Sequence, residues 1–552
     1  MSLANRRSAL LLGVSCTFGC ASSQNAPVSG TQPSDASPGS TPVTESGSGT
    51  PSTDSGTSSN TPGAKDSSTS SGTDGGASGA DAGSGPTGDN LVDQYVCTYP
   101  AGGVPKATVV PSVAQVAYQH VELTAFLHFG LDTWDGQEQG NPSDPPSLFN
   151  PTNLTQDTAN GWATTLKGVG FGQAMLVAKH STGYCLWPSK ATTYSVAGSP
   201  WMNGQGDVVT LFANAMKANG MRAAFYLAPW DQHAPSSATG YQTVLEMQMK
   251  ELLTHYGAVY ELWFDGANAP TAPIVHWGNV FQAVKMEQPF IDIWAGPEVG
   301  RASAADTPPA FPDLQWIGNE NGSASRTTSS LDLSNCGGGT NRWCAWEATT
   351  TDSNNGDWFW HPGHQPKSLA QMQQIYFNTI GRNTTLIYNV PPDQTGAFDS
   401  KDVAVLQQFG TWYKSTFQTD LLKGAPAAAD STWANAGFEA NKAVDDTLCT
   451  YWAAASGKTA GTLEVTPASP INIKVISIRE PIELGERVTK YHVEVQQNGS
   501  WITPTDANGD NVQGTVIGNR QLWQVNLMGL SGIRLVIQSA RDVPAIAEFA
   551  AY

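Results

Sequence analysis

From about residue 108 the chain alternates two hydrophobic rhythms. Short, nearly continuous apolar runs occur at Glu122–Phe129, Gly172–Ala178, Arg222–Ala228, Val259–Phe264, Phe290–Trp294, Leu314–Ile317 and Thr385–Asn389. Between them, apolar residues recur at helical spacing over 155–167, 207–219, 240–255, 275–286, 366–380 and 400–415. Continuous apolar strands alternating with amphipathic helices predict a parallel sheet covered on both faces. Seven or so βα units fit an α/β fold built as a (β/α) barrel spanning 91–425. An open doubly wound sheet competes with it, but no GxGxxG opens the first unit. After Gly424-Ala-Pro the rhythm shortens to strand alternation at Thr462–Val465, Ile473–Ile478, Tyr491–Val495, Leu522–Val525 and Gly532–Ile537. That pattern predicts an antiparallel β-sandwich, a jelly-roll, over 426–552.

The region before the rhythm has no apolar face. Residues 21–90 are dominated by Ser, Thr, Gly, Pro, Asp and Ala, which cannot bury enough surface to offset their ordering entropy. They read as a disordered tether. Residues 1–20 combine Asn5-Arg6-Arg7, the short apolar core Ala9–Val14, and Cys16 and Cys20 after small residues. This is a secretion signal, too short to span a bilayer. It resembles a bacterial lipoprotein signal, which implies lipidation of Cys20 or Cys16. The expected location is outside the cytosol, as an outer-membrane or cell-surface lipoprotein or a secreted protein. There the Cys336–Cys344 pair, flanking a glycine-rich loop, is expected to form a disulfide.

Charge and composition narrow the chemistry. The 552 residues carry 47 acidic against 28 basic side chains, a net charge of −19, with no Lys/Arg cluster, which argues against a nucleic-acid partner. Eighteen Trp offer stacking faces for sugars, although most Trp are core. The seven Cys contain no CxxC, and no third His or Cys has metal-ligand spacing, so neither a metal nor a cofactor is expected.

The polar residues at the strand ends carry the functional argument, because a barrel builds its active site there. In Val259-Tyr-Glu-Leu-Trp-Phe-Asp-Gly266 an apolar strand stops at a carboxylate and a turn glycine. Asp-Gly is commonly only a turn. Here it shares a rim with His128, Lys179-His180, Tyr226, Trp230 and Gly318-Asn-Glu320. Two carboxylates among imidazoles and aromatics point to glycoside hydrolysis, in which one carboxylate assists at the anomeric carbon and a protonated one serves the leaving oxygen.

The catalytic segment resembles the α-L-fucosidases of glycoside hydrolase family 29. The motifs are His128-Phe-Gly130, Phe149-Asn-Pro151, Lys179-His180, Leu186-Trp-Pro-Ser189, Gly206–Val209, Pro229-Trp-Asp231, Glu251–Gly257, Trp263-Phe-Asp-Gly266, Trp316–Glu320, Trp358-Phe-Trp-His-Pro362, Gly381-Arg-Asn383 and Asn389–Pro392. The Gly-Asn-Glu motif is similar to the subgroup preferring branched α-1,3/1,4-linked fucose. The resemblance implies Asp265 as nucleophile and Glu320 as acid/base of a retaining mechanism, with Glu347 the alternative acid. It places His128, His180, Ser181, Tyr226, Trp230, Trp263, Glu347 and Trp360 around a fucosylated oligosaccharide or glycoconjugate. Two positions depart from the family pattern: Ser181 stands where a second His is usual, and Gln139 where Trp is common. Ser181 opens the alternatives of a shifted sugar preference or a non-catalytic carbohydrate-binding protein. The segment 426–552 resembles discoidin-like (coagulation-factor type C) modules, on Ala443–Trp452, Thr515–Arg520 and Pro544–Phe549. These often bind carbohydrate, sometimes calcium, or are purely architectural.

Overall fold

The computed structural model describes residues 89–266, 275–296, 299, 306, 309–337 and 340–552. The signal and all but the last two residues of the tether lie outside the described residues. Eight parallel strands close into a barrel: β1 (Leu123–Leu127), β2 (Gln173–Lys179), β3 (Arg222–Leu227), β4 (Glu261–Phe264), β5 (Asp292–Ala295), β6 (Leu314–Trp316), β7 (Ala345–Thr350) and β8 (Thr385–Asn389). Closure is the β1–β8 pairing, with Leu123 opposite Leu386. The apolar rhythm located seven strands. It missed β7, which reads Ala-Trp-Glu-Ala-Thr-Thr and is nonetheless wholly buried. Its glutamate points into a barrel interior that supplies hydrogen bonds, so no hydrophobic run marks it.

After a helical turn at Asn90–Asp93, the helices around the barrel are α1 (Val113–Val121), α2 (Asp132–Asp135), α3 (Gln156–Val169), α4 (Val208–Ala218), α5 (Ala238–His255), α6 (Trp277–Glu287), α7 (Leu369–Asn378) and α8 (Ser400–Phe417). α1 precedes the first strand and was not expected. Ser112 and Gln115 cap it reciprocally, and its buried face lies under the barrel. The outer core lies between strands and helices, with Trp162, Leu166, Phe212, Leu252, Phe281 and Phe409 among its members. The barrel interior holds Phe126, Met175, Tyr226, Trp263, Trp294 and Ile387. Among the described residues no helix is long and apolar enough to cross a membrane.

The C-terminal part forms a six-stranded antiparallel sheet, which includes Val488–Gln497, Gly532–Ala540 and Gly461–Val465. A three-stranded sheet of Gln521–Leu530, Ile471–Arg479 and Glu548–Ala551 completes the core. Its loops dock on positions just before β1 and β8, the N-terminal end of the barrel. Glu122 receives Arg479 Nη2 at 2.6 Å and Arg520 Nη1 at 2.8 Å. Asn519 bonds Asn383 and the Gln119 carbonyl, and Ile482 joins the barrel-interior cluster. The C-terminal rim, where the candidate residues stand, faces away from this contact. The expected Cys336–Cys344 disulfide is present. A second, Cys97–Cys449, joins residues 352 apart and ties the segment preceding α1 to the sandwich. Nothing in local sequence signals a pairing over that distance.

Candidate active site

Four strand ends bring the core of the site together. β1 delivers His128, whose Nδ1 lies 2.8 Å from Asn389 Oδ1 at the end of β8. β2 delivers His180, stacked on Tyr226 of β3 with ring centroids 5.7 Å apart. Tyr226 stacks in turn on Trp263 of β4 at 5.5 Å. Asp265 follows immediately. Its Oδ2 accepts from the Tyr226 hydroxyl at 3.1 Å and its Oδ1 from the Gly266 N–H at 2.8 Å. Gly266 has φ +72°, and a Cβ there would come within 3.1 Å of Trp230 Cβ. The turn that presents the carboxylate therefore favours glycine, and it places Trp230 beside Asp265.

Glu320 stands exposed on the loop after β6, where the Trp358 indole N–H reaches its Oε2 at 3.4 Å. Trp358 also lies 4.9 Å from the His128 ring, and Phe359 lies 5.3 Å from His128 and 5.2 Å from His180. The aromatic wall is thus Trp358 and Phe359. Trp360, the expected member, turns away and donates to Asp399 at 3.2 Å, at the start of α8. The chain bends at Trp358 and Phe359, so these neighbours share the site side while Trp360 leaves it, and the sequence motif does not show that bend.

Glu347 also departs from its expected place. It is fully buried inside the barrel, where the Trp263 indole N–H donates to Oε1 at 2.5 Å and the Tyr118 hydroxyl to Oε2 at 2.9 Å. A strand-interior position on β7 points it at the barrel axis instead of the rim. Burial raises its carboxyl to about 7. It braces Trp263 from below and has no open face toward a sugar.

Three further groups, of which only Lys179 was visible in a sequence motif, take their places in the fold. Glu138 accepts the Trp358 backbone N–H at 2.8 Å and pairs with His361 at 2.7 Å, anchoring the aromatic wall. Lys179 bonds Asp231 at 2.7 Å and Gln248 at 2.9 Å beneath the His180 loop. Asp132, from α2, lies 3.8 Å from His180 Nδ1. Each is a common polar residue, and only the fold shows what it touches. The two departures from the family pattern touch each other: Ser181 Oγ donates to the Gln139 carbonyl at 3.3 Å and lies 3.3 Å from His180 Nδ1.

The electrostatics suit acid–base work. Burial raises the Asp265 carboxyl above its usual range, opposed by His180, the Gly266 N–H and the Tyr226 hydroxyl. Glu320 is also raised, first by desolvation and then by the charges of Asp265 and Glu138, against the Trp358 N–H. Burial and the neighbouring His180 hold His128 well below its ordinary value, so it is a neutral ring. Glu320 is raised further by the Asp265 charge, whereas His180, the Gly266 N–H and the Tyr226 hydroxyl favour ionised Asp265, and this difference in surroundings is what can divide the nucleophile and acid roles. Among the described residues, Glu138–Asp357–His361 and Asp352–His364–Asp402 each gather within 4.8 Å, a spacing that could hold a metal ion. Neither group includes Asp265 or Glu320, and His361 and His364 already pair with carboxylates.

Comparison with known proteins agrees with this architecture. Residues 143–416 match the family described as alpha-L-fucosidase, and residues 426–549 match the F5/8 type C domain. A putative alpha-L-fucosidase 1 of Oryza sativa subsp. japonica is 33% identical over 463 residues, covering 80% of this chain and 85% of its own. A crystal structure of a putative alpha-L-fucosidase from Bacteroides thetaiotaomicron superposes with TM-score 0.73 at 31% identity, covering 82% of this chain and 99% of that one. A Ruminococcus gnavus family 29 fucosidase in complex with fucose superposes with TM-score 0.72 at 27% identity, covering 82% and 97%. With its closed barrel, its rim carboxylates and its C-terminal F5/8 type C domain, this chain belongs to the α-L-fucosidase family of glycoside hydrolases.

Proposed function

We propose that the protein hydrolyses terminal α-L-fucosyl linkages with retention, Asp265 attacking the anomeric carbon and Glu320 protonating the leaving oxygen and then activating water. The observation that carries this reading is the pair itself: Asp265 and Glu320 share one rim between His128, His180, Tyr226, Trp263 and the indole of Trp358, Asp265 held by the Tyr226 hydroxyl and Glu320 by the Trp358 N–H. Neutral His128 is suited to hydrogen-bond a sugar hydroxyl, and the aromatic faces to stack on the ring. Retention requires the two carboxyl groups to work about 5–5.5 Å apart in the complex. The Gly318-Asn-Glu320 motif supports branched α-1,3/1,4-linked fucose as the substrate. The fucose complex of the R. gnavus relative supports fucose as the sugar.

Incubation with an aryl α-L-fucoside and with a fucosylated Lewis-type trisaccharide tests this. Release from neither sinks the reading, and release from the branched sugar alone supports the subgroup. Asp265→Ala should abolish turnover. Azide should rescue Glu320→Ala, and its failure to do so would remove Glu320 from the acid/base role. A second reading, a shifted sugar preference, is favoured by Ser181, whose hydroxyl is engaged by the Gln139 carbonyl where the family usually offers an imidazole. A panel of aryl glycosides of related sugars separates the two.

The protein is further proposed to be exported, with lipidation at Cys20 or Cys16. The N-terminal signal pattern supports this, as do two disulfides that require an oxidising compartment. Mass measurement of the mature N-terminus tests it.

A further inference from the structure

Asp132 is 1% exposed, and its Oδ1 meets no hydrogen-bond donor. A buried carboxylate oxygen without a donor is costly, and such groups are retained where a charged neighbour or a function compensates. The cationic neighbour here is His180, whose Nδ1 lies 3.8 Å from that oxygen. The loop above is shaped to cover the pair. Gly140 has φ +57°, and a Cβ there would stand 2.4 Å from Asp132 Oδ1 and 2.3 Å from Thr182 Cγ2. Any side chain at that position would hold the loop off Asp132 and let water in. Ser181 Oγ, 3.3 Å from Nδ1, closes the other side, and no described residue hydrogen-bonds His180 Nε2.

We propose that Asp132 is a positioning residue: its carboxylate fixes His180 from the Nδ1 side, leaving Nε2 for the sugar and placing an imidazolium beside the Asp265 carboxylate. The substrate in this statement rests on the fucosidase reading above, whereas the pairing rests on the geometry. The charged or titratable groups facing His180 are Asp132 from α2, Asp265 from the end of β4, Glu138 from the rim loop, His128 from β1 and the Tyr226 phenol of β3, whose ring stacks on it. Burial alone would lower the proton affinity of His180, but the three carboxylates, with Asp132 foremost, outweigh it and leave it raised. The imidazolium in turn favours the ionised form of Asp265, against the burial that leaves its carboxyl raised. The arrangement also explains how the site functions with Ser181 in place of a second imidazole. One His is held charged by a buried partner, while His128 stays neutral.

The test is the titration of His180, followed by NMR of labelled imidazoles and assigned with His180→Gln, alongside the pH profile of kcat/KM on an aryl α-L-fucoside. Wild type is expected to titrate above the ordinary 6.5. In Asp132→Asn the midpoint should fall by about 1–3 pH units, the range for loss of a charge at this separation. The alkaline limb of kcat/KM should move down with it. A merely structural Asp132 would lower thermal stability while leaving the titration and the limb in place, and that result overturns the proposal. A wild-type midpoint at or below about 6.5 overturns it too, whether or not Asp132→Asn folds. If the titrations behave as expected in a wild-type protein that releases nothing from fucosides, the fucosidase reading fails and the Asp132–His180 pairing stands.

Discussion

The contact between sandwich and barrel turns on one carboxylate, and replacing it by its amide, Glu122→Gln, makes a quantitative prediction. Glu122 is 7% exposed and receives two guanidinium groups from the sandwich, Arg479 at 2.6 Å and Arg520 at 2.8 Å. Removing one partner of a buried ion pair costs about 3–5 kcal/mol, because the remaining charge stays buried. Both arginines keep other partners. Arg479 retains Glu548 at 3.7 Å and the Asn519 carbonyl at 3.3 Å, and Arg520 retains the Tyr376 hydroxyl at 3.1 Å. The low end of the range, about 3 kcal/mol, is therefore expected. A cooperative unit spanning residues 89–552 has an unfolding entropy of about 1 kcal/mol/K, so Tm should fall by about 3 °C. Calorimetry at neutral pH measures this. The guanidinium groups hold Glu122 below its usual value despite the burial that opposes them. With the folded value depressed, the stabilisation is present above the unfolded value near 4.3 and is lost as pH falls through the folded one. The difference between wild type and variant should thus shrink in acid. A Tm unchanged at neutral pH, or a difference that grows in acid, would refute the reasoning.

Three further outcomes are expected. Trp358→Phe keeps the apolar wall but removes the N–H that lowers Glu320, so the Glu320 carboxyl, followed by NMR, should titrate at higher pH than in wild type and kcat should fall; an unmoved titration would detach Trp358 from Glu320. Asp352 and Asp402 overcome burial to raise His364 to about 10, and His364 closes the loop that carries Trp358. Because that folded value is raised, its stabilisation is complete below about 6.5 and is lost as pH climbs through about 10, so the Tm gap between wild type and His364→Gln should narrow over that window. Cys449→Ser opens the Cys97–Cys449 bridge and should cost about 2–5 kcal/mol, read by denaturant titration, with turnover of an aryl α-L-fucoside retained.

Much of this protein was legible residue by residue. Seven of eight barrel strands announced themselves because each is buried on both faces and therefore continuously apolar. The helices between them kept a single apolar stripe. The strand-end rule then gathered His128, His180, Tyr226, Trp263, Asp265 and Glu320, because barrel chemistry gathers at the C-terminal ends of the strands. The local Cys336–Cys344 closure was visible for the same reason: its two ends are near in sequence.

Tertiary structure decided what depends on direction and on distant partners. β7 hid because a buried Glu347 can replace an apolar residue once Trp263 and Tyr118 donate to it, and those donors lie 84 and 229 positions away. The choice of Trp358 over Trp360 depended on a bend at Trp358 and Phe359, and the pairing of Cys97 with Cys449 on how the sandwich docks. Asp132 has no signature at all in the chain. It matters because folding buries it 3.8 Å from His180 under a glycine, where water cannot reach it. Sequence periodicity determines which residues leave water; only packing determines which of them then face each other, and that pairing sets the protonation states the chemistry requires.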